Sequence, residues 1–203
     1  MTEEEVEFEE IYARAGADLA NIPWATMAPN AALTAWLDRQ PRSPGASALV
    51  VACGLGDDAE ELARRGYRVT AFDVSPTAID LCRGRFPHTD VDYRIADLFE
   101  LPSTWEQAYA LVVEIRTLQS LPPNIRADAA KAIAGTVAPG GHVFLRTAAR
   151  EPDEPVASRP WPLTQHELKV FTEAGLTRTE LRDDPPGVGR RFRTLTAIYQ
   201  RPG

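Results

Sequence analysis

The sequence predicts an α/β fold with a mainly parallel sheet and helices on both faces. Three observations point there. Short apolar runs alternate with helix-like segments from Ala48 onward, YALVVEI (109–115) is apolar almost throughout, and a glycine-rich turn follows the first run. Alternation of this kind is the signature of βαβ units, whose connections are nearly always right-handed. A continuous apolar run suits a central strand buried on both faces.

In chain order, residues 4–19 set Val6, Phe8, Ile11, Tyr12, Ala15 and Leu19 among glutamates, the pattern of an amphipathic N-terminal helix. IPWATMAPNAALTAWL (22–37) begins as a proline-containing loop and turns helical from Asn30. Asn30 suits an N-cap because its side-chain oxygen can accept the free amides of a first turn. PRSPG (41–45) ends that helix. ALVVA, DDAEELARR, YRVTAF, PTAIDLCRGRF and VDYRI then read as strand, helix, strand, helix and strand. After YALVVEI come a helix around 124–136, a strand GHVFLRT (141–147) and a helix TQHELKVFTEAG (164–175). LTRTELRD and RRFRTLTAIYQ flank the turn-rich DDPPGVGR with no helix between them, which predicts a closing antiparallel hairpin. The expected organisation is one domain over 1–203, with 1–40 as a helical cover and 46–203 as the sheet and its helices.

Composition narrows the function classes. A chain of 203 residues can bury a core without disulfides. No apolar run approaches the roughly 20 residues of a membrane helix, and the N-terminal MTEEEVEFEE is acidic where a secretory signal is basic and then apolar. A cytoplasmic location with reduced thiols is the expectation. Cys53 and Cys82 have no neighbouring Cys or His at metal-ligand spacing, so no metal is expected. A net charge of −7 without a dense basic run points away from nucleic acid and anionic membranes, and toward a small-molecule partner. Nothing in the pattern sets an oligomeric state.

The stretch VVACGLGDDA (50–59) carries the chemistry. No Gly-Lys-Ser/Thr follows Gly56, which excludes a P-loop for nucleoside triphosphates. Gly54-x-Gly56-x-x-Ala59, with Asp73 downstream, formally fits a dinucleotide fingerprint and keeps an NAD(P)-dependent oxidoreductase as an alternative. Against it, Asp57 and Asp58 occupy the first helical turn, where they would repel a diphosphate. Their bland role is capping and favourable interaction with the helix dipole. A cationic nucleoside with an amino-acid tail, S-adenosylmethionine, suits this loop better. Asp73 ends the second strand, where a carboxylate can accept from both ribose hydroxyls. Asp97, in IADLFELP after the third strand, can accept from an adenine amino group while Leu98 packs the ring.

Together these stretches resemble the class I S-adenosylmethionine-dependent methyltransferases, across almost all of residues 22–200. That resemblance implies a Rossmann-like sheet of seven strands with the last antiparallel. Within the class, the Tyr12 and Trp24 region leading to PNAAL, VVACG, GYRVTAFDVS and EIRTLQSLPPNIR resemble the thiopurine methyltransferase-like small-molecule group. As in that group, Val50 stands where many class I enzymes carry an acid. The resemblance implies Tyr12, Trp24, Ala52, Gly54, Gly56, Asp73, Asp97 and Leu98 as cofactor contacts, and Glu114 as a contact to the methionine ammonium. Ala52 replaces a common glycine. The group's Asp-Arg at the end of the fourth strand reads Glu114-Ile115-Arg116 here, so Arg116 points to the opposite face from an arginine one residue earlier.

Methyl transfer from a sulfonium is an in-line displacement in which alignment dominates. A thiol acceptor needs no general base, whereas oxygen or nitrogen more often does. His88, His142 and His166 have no partner spacing that supports catalysis, which leaves Glu114 and Arg116 as weak catalytic candidates and tilts the reading toward a soft acceptor. O- or N-methylation of a small metabolite, and a non-catalytic S-adenosylmethionine-binding module, are the alternatives. Acceptor walls are expected in residues 8–30 and in the proline-rich REPDEPVASRPWPL (150–163), with Trp24 and Trp161 as aromatic surfaces. Arg146, Arg190, Arg191 and Arg193 form a basic group near the last strand, on the simplest view a solvated edge.

Overall fold

The computed structural model describes residues 3–16, 18–41, 43–155, 159–187 and 191–203. Seven strands, β1 (Ser47–Val51), β2 (Arg68–Asp73), β3 (Asp92–Ile95), β4 (Tyr109–Ile115), β5 (Val137–Ala149), β6 (Thr177–Asp184) and β7 (Arg193–Gln200), form one sheet in the order β3-β2-β1-β4-β5-β7-β6. β1 and β3 both pair parallel with β2, and β4 pairs parallel with β5. β7 runs antiparallel to both β5 and β6. The mainly parallel sheet with an antiparallel last strand, expected from sequence, is the observed fold.

The chain forms two compact units, Met1–Glu100 and Leu101–Gly203. In the first, helix α1 (Glu3–Ala15) is followed by a 3-10 turn at Leu19–Asn21, so the long helix anticipated over 4–19 stops a turn early. Helix α2 (Ala31–Leu37) begins where expected. The Asn30 side chain accepts from the amides of Ala32 (3.0 Å) and Leu33 (3.4 Å), and Leu33, Trp36 and Leu37 are buried. β1 is almost wholly apolar because four of its five residues are buried. Helix α3 (Asp57–Arg64) opens on Gly56 in the left-handed region, with Asp57, Asp58 and Glu60 in its first turn and Arg64 in its last, both complementing the dipole. Helix α4 (Pro76–Arg85) has Ser75 as N-cap, its hydroxyl accepting from Ala78 N–H at 3.0 Å, and a proline where the first amide is unsatisfied anyway.

In the second unit, β4 buries Leu111, Val112, Val113 and Glu114 in succession, as its continuous apolar run requires. Helix α5 (Arg126–Gly135) buries Ala129, Ala130, Ile133 and Ala134, the i, i+4 stripe of an alanine-rich helix. β5 is longer than GHVFLRT, extending back to Val137 and on to Ala149. Helix α6 (Lys169–Glu173) is shorter than the 164–175 segment suggested. The first part of that segment is a capping turn. Thr164 Oγ1 accepts from Glu167 N–H (3.3 Å) while Glu167 Oε2 accepts from Thr164 N–H (2.8 Å).

Candidate cofactor and acceptor site

The first unit brings most of the predicted cofactor residues together. The turn after β1 folds back through Gly56 N–H to Cys53 O (3.0 Å), with Cys53 N–H held by Phe72 O on β2 (2.8 Å). Ala52 opens it at φ +46°, an exposed left-handed alanine, and Gly54 (φ +55°) and Gly56 (φ +86°) complete it. A Cβ at Gly56 would run into the Tyr93 hydroxyl and lie 3.1 Å from Cys82 Sγ, so glycine is obligatory there. At Gly54 a Cβ would meet only the Tyr12 hydroxyl, at 3.2 Å.

Asp73, at the end of β2, is 5% exposed. Its Oδ2 accepts from Gly54 N–H (2.9 Å) and its Oδ1 from Ser75 N–H (3.1 Å). Burial raises its pKa against the opposing pull of the Ser75, Gly54 and Val74 amides. Three amides fill only part of the acceptor capacity of its two oxygens, which leaves room for a ribose hydroxyl. The Asp97 segment is tied alongside, since Ala96 N–H donates to Asp73 O (3.1 Å). Asp97 closes its own turn by accepting from Phe99 N–H (2.8 Å), and Leu98 is buried.

Tyr12 and Trp24 meet over this loop. Trp24 Nε1 donates to the Tyr12 hydroxyl (3.0 Å), and Trp24 packs edge-on against both Phe8 and Tyr12. Tyr12 is 3% exposed; burial and then the negative charge of Asp73 push its pKa well up. A second apolar cluster of Tyr12, Ala15, Ile22, Leu55 and Ala78 seats this cover.

Asp57 and Asp58 prove to be structural. Arg85 donates to both oxygens of Asp57 (3.0 and 2.8 Å), and Asp58 accepts from Asn30 N–H (2.6 Å). Sequence reasoning missed Glu9, which accepts from Ser75 Oγ (2.5 Å), Thr77 N–H (3.3 Å) and the Thr77 hydroxyl, and so fastens α1 to the start of α4. It also missed Cys82, whose thiol donates to Gly54 O (3.1 Å), and Tyr93, whose hydroxyl donates to Glu60 (2.7 Å). These partners lie 28 to 68 residues apart, and no local signal links them.

Glu114 and Arg116 belong to the second unit. Glu114 is buried at the end of β4 with Oε1 accepting from Leu118 N–H (3.0 Å). Arg116 leaves the strand at φ +69°, its N–H donating to Arg146 O (2.8 Å). The Arg146 guanidinium engages the Thr196 hydroxyl and Asp184 (3.5 Å), and Arg193 lies 3.5 Å from Asp183 and pairs with Glu151. This part of the basic group is therefore internally paired; Arg191 is exposed, and Arg190 lies outside the described residues. The proline-rich stretch is pinned at its far end: Trp161 N–H donates to Gln119 O (2.8 Å) and Leu163 N–H to Ala148 O (2.9 Å). His88 and His166 are exposed, and burial lowers the pKa of His142. Both cysteines are free, no group of three or more metal-ligating side chains occurs among the described residues, and no described helix is long and apolar enough to cross a membrane.

A seven-stranded sheet in this order, with a glycine turn after β1 hydrogen-bonded to a buried acid ending β2, defines the class I methyltransferase fold. Residues 48–141 match the model of a methyltransferase domain family. Over 179 residues the chain is 29% identical to a ubiquinone biosynthesis O-methyltransferase of Marinobacter nauticus, covering 82% of this chain and 73% of that protein. A ubiquinone biosynthesis O-methyltransferase of Alkalilimnicola ehrlichii is 36% identical over 110 residues, 53% of this chain and 44% of its own length. Among solved structures, 1,6-didemethyltoxoflavin-N1-methyltransferase of Burkholderia thailandensis superposes with a TM-score of 0.73 at 20% identity, covering 98% of this chain and 87% of that one. The N-methyltransferase NodS of Bradyrhizobium japonicum, in complex with S-adenosylhomocysteine, gives 0.70 at 19% identity with full coverage of both. Residues 48–141 carry a methyltransferase domain set in the class I fold, and the protein is an S-adenosylmethionine-dependent methyltransferase. The two relatives found by sequence are ubiquinone biosynthesis O-methyltransferases, and the two solved structures are N-methyltransferases, so the thiopurine-like subgroup expected from sequence gains no support from them.

Proposed function

We propose that this protein transfers the methyl group of S-adenosylmethionine to an oxygen of a small hydroxylated acceptor. The observation that carries this reading is the 179-residue similarity to an O-methyltransferase, which favours oxygen over the thiol that the absence of a histidine base first suggested. In this reading Asp73 holds the ribose hydroxyls with its remaining lone pairs, Asp97 accepts from the adenine amino group and Leu98 packs against the ring. Gly54, Gly56 and Ala52 form the turn that admits the amino-acid end, and Tyr12 and Trp24 cover it. The residues fit such a group: Gly54 and Gly56 turn the backbone in the left-handed region, and Asp73 is held in place by the Gly54 and Ser75 amides. The bound cofactor supplies an already activated methyl; the chain's residues align it and exclude water.

The test is methyl transfer from S-adenosylmethionine labelled in its methyl group, offered matched phenol, catechol, thiophenol and aniline acceptors at equal concentration. Labelled methyl ethers are expected. Label appearing only in thioethers or N-methyl products would replace the oxygen reading.

A further inference from the structure

Cys53 and Cys82, the only two cysteines of the sequence, come from different elements and meet at the glycine turn. Cys53 lies in the turn after β1 and is partly exposed, whereas Cys82 lies in the second half of α4 and is buried. The Cys82 thiol donates to Gly54 O at 3.1 Å, which leaves its sulfur free to accept, and the Cys53 thiol hydrogen-bonds to it. Both cysteines belong to the first unit, as do all their partners. They form a dithiol in side-chain contact.

The surroundings of this pair give way poorly. Cys53 is tied through its backbone at both ends, its N–H donating to Phe72 O (2.8 Å) and its O accepting from Gly56 N–H (3.0 Å). Helix α4 is fastened to the same turn again at Arg85, which bonds Leu55 O and Asp57. Gly56 lies so near Cys82 that a Cβ there would stand 3.1 Å from its sulfur. Covalently joined sulfurs stand closer than hydrogen-bonded ones, so a bond between these two must move the turn or the helix. It also removes the hydrogen that Cys82 gives to Gly54 O. Gly54 N–H is what Asp73 Oδ2 accepts (2.9 Å), so a change at sulfur reaches that acid through a single residue.

We propose that Cys53 and Cys82 are joined as a disulfide by a peroxide, and that this bond weakens cofactor binding at the turn. The second half rests on the cofactor reading above; the first does not. In the step, the Cys53 sulfur attacks one peroxide oxygen and becomes a sulfenic acid, while the other oxygen leaves as water. The Cys82 sulfur then attacks the sulfenic sulfur, and its proton departs with the displaced hydroxyl as a second water. The two thiols lose two electrons, which the peroxide gains. Exposure sets the order, because Cys53 is the one open to solvent. Its hydrogen bond to Cys82, then burial, then the charge of Asp73 push the Cys53 thiol well up. Thiolate is therefore scarce at neutral pH, where the reduced pair persists, and the bond forms faster in alkali.

The experiment exposes the protein to hydrogen peroxide at pH 7, 8 and 9, removes the peroxide with catalase, and follows intact mass and S-adenosylhomocysteine affinity. Wild type should lose about 2 Da, the two thiol hydrogens, without forming a covalent dimer, and should do so roughly tenfold faster per pH unit. Affinity should fall roughly 5- to 50-fold and return with dithiothreitol. Cys53→Ser cannot make the bond, so its affinity should be the same before and after peroxide. No loss of mass, a disulfide between two chains, or a disulfide that leaves affinity unchanged would overturn the proposal. So would an equal fall in the folded variant. If folded, reduced wild type bound no S-adenosylhomocysteine, the cofactor reading and the second half of the proposal would fall together, and the mass alone would decide the disulfide. Should the variant not fold, recovery of wild type with dithiothreitol decides, since sulfoxides and sulfinic acids do not revert with a thiol.

Discussion

Single residues carry opposite kinds of strain at this site. Ala52 sits at φ +46°, a conformation in which an L side chain costs roughly 1–2 kcal/mol and glycine costs nothing sterically. Because Ala52 is exposed, no packing is lost on removing its methyl. Ala52→Gly should therefore stabilise the protein by about 0.5–1 kcal/mol, the steric gain less the added freedom of the unfolded chain. Urea unfolding measures this, and a destabilised variant would show that the methyl makes a contact that outweighs the strain. Asp73 is constrained differently, since it holds the loop through the Gly54 and Ser75 amides and, in the reading proposed above, also binds the ribose. Asp73→Asn keeps one acceptor but puts an amide NH2 donor where the other carboxylate oxygen was. It should weaken S-adenosylhomocysteine at least tenfold while costing about 1–3 kcal/mol of stability. Unchanged affinity would take Asp73 out of the ribose site.

At the scale of elements, α1 is held less by its own sequence than by one glutamate. Burial pushes the Glu9 carboxyl up, but hydrogen bonds from Ser75 and Thr77 outweigh this and hold it below the usual range. A carboxyl shifted down contributes stability that is present above the unfolded-state value and lost as pH falls through the folded one. The α1–α4 attachment should thus loosen in acid. Glu9→Ala should loosen it at neutral pH, seen as faster amide exchange over 3–15 with the exchange of β1 and β2 unchanged. Equal protection of α1 in both proteins would mean that the Tyr12 cluster alone holds the helix. This contact was invisible in the sequence, because Glu9 and Ser75 are 66 residues apart and glutamates in that segment look like a solvated face. The strands were legible because parallel strands buried on both faces must be apolar throughout. Helix α6 was overestimated at its start: Thr164 and Glu167 form a capping turn, and the regular helix begins only at Lys169.

For the whole molecule, the elements and the glycine turn were readable because each depends on local chemistry: glycine at positive φ, an N-cap, an apolar run. What sequence left open was which charges are paired and which are bare. Asp57 found Arg85, yet one Glu114 oxygen has no partner among the described residues, and only the folded chain distinguishes them. That distinction predicts the pH dependence of stability. Glu114 ionises near 4.5 when unfolded and near 7 when folded, so between these values the folded state binds more protons and stability falls as pH rises. Asp73, raised by burial, acts in the same direction. Glu61 and Asp184, held down by Arg64 and Arg182 respectively, act oppositely and lose their contribution as acid protonates them. Stability should peak on the acid side of neutrality. Glu114→Gln should match wild type near pH 4.5 and exceed it by up to about 3 kcal/mol above pH 7, a span set by the shift in its ionisation. Urea unfolding of both proteins at pH 5 and pH 8 measures the difference. If the gap failed to widen with pH, burial of an ionisable acid would not be what Glu114 costs the free protein.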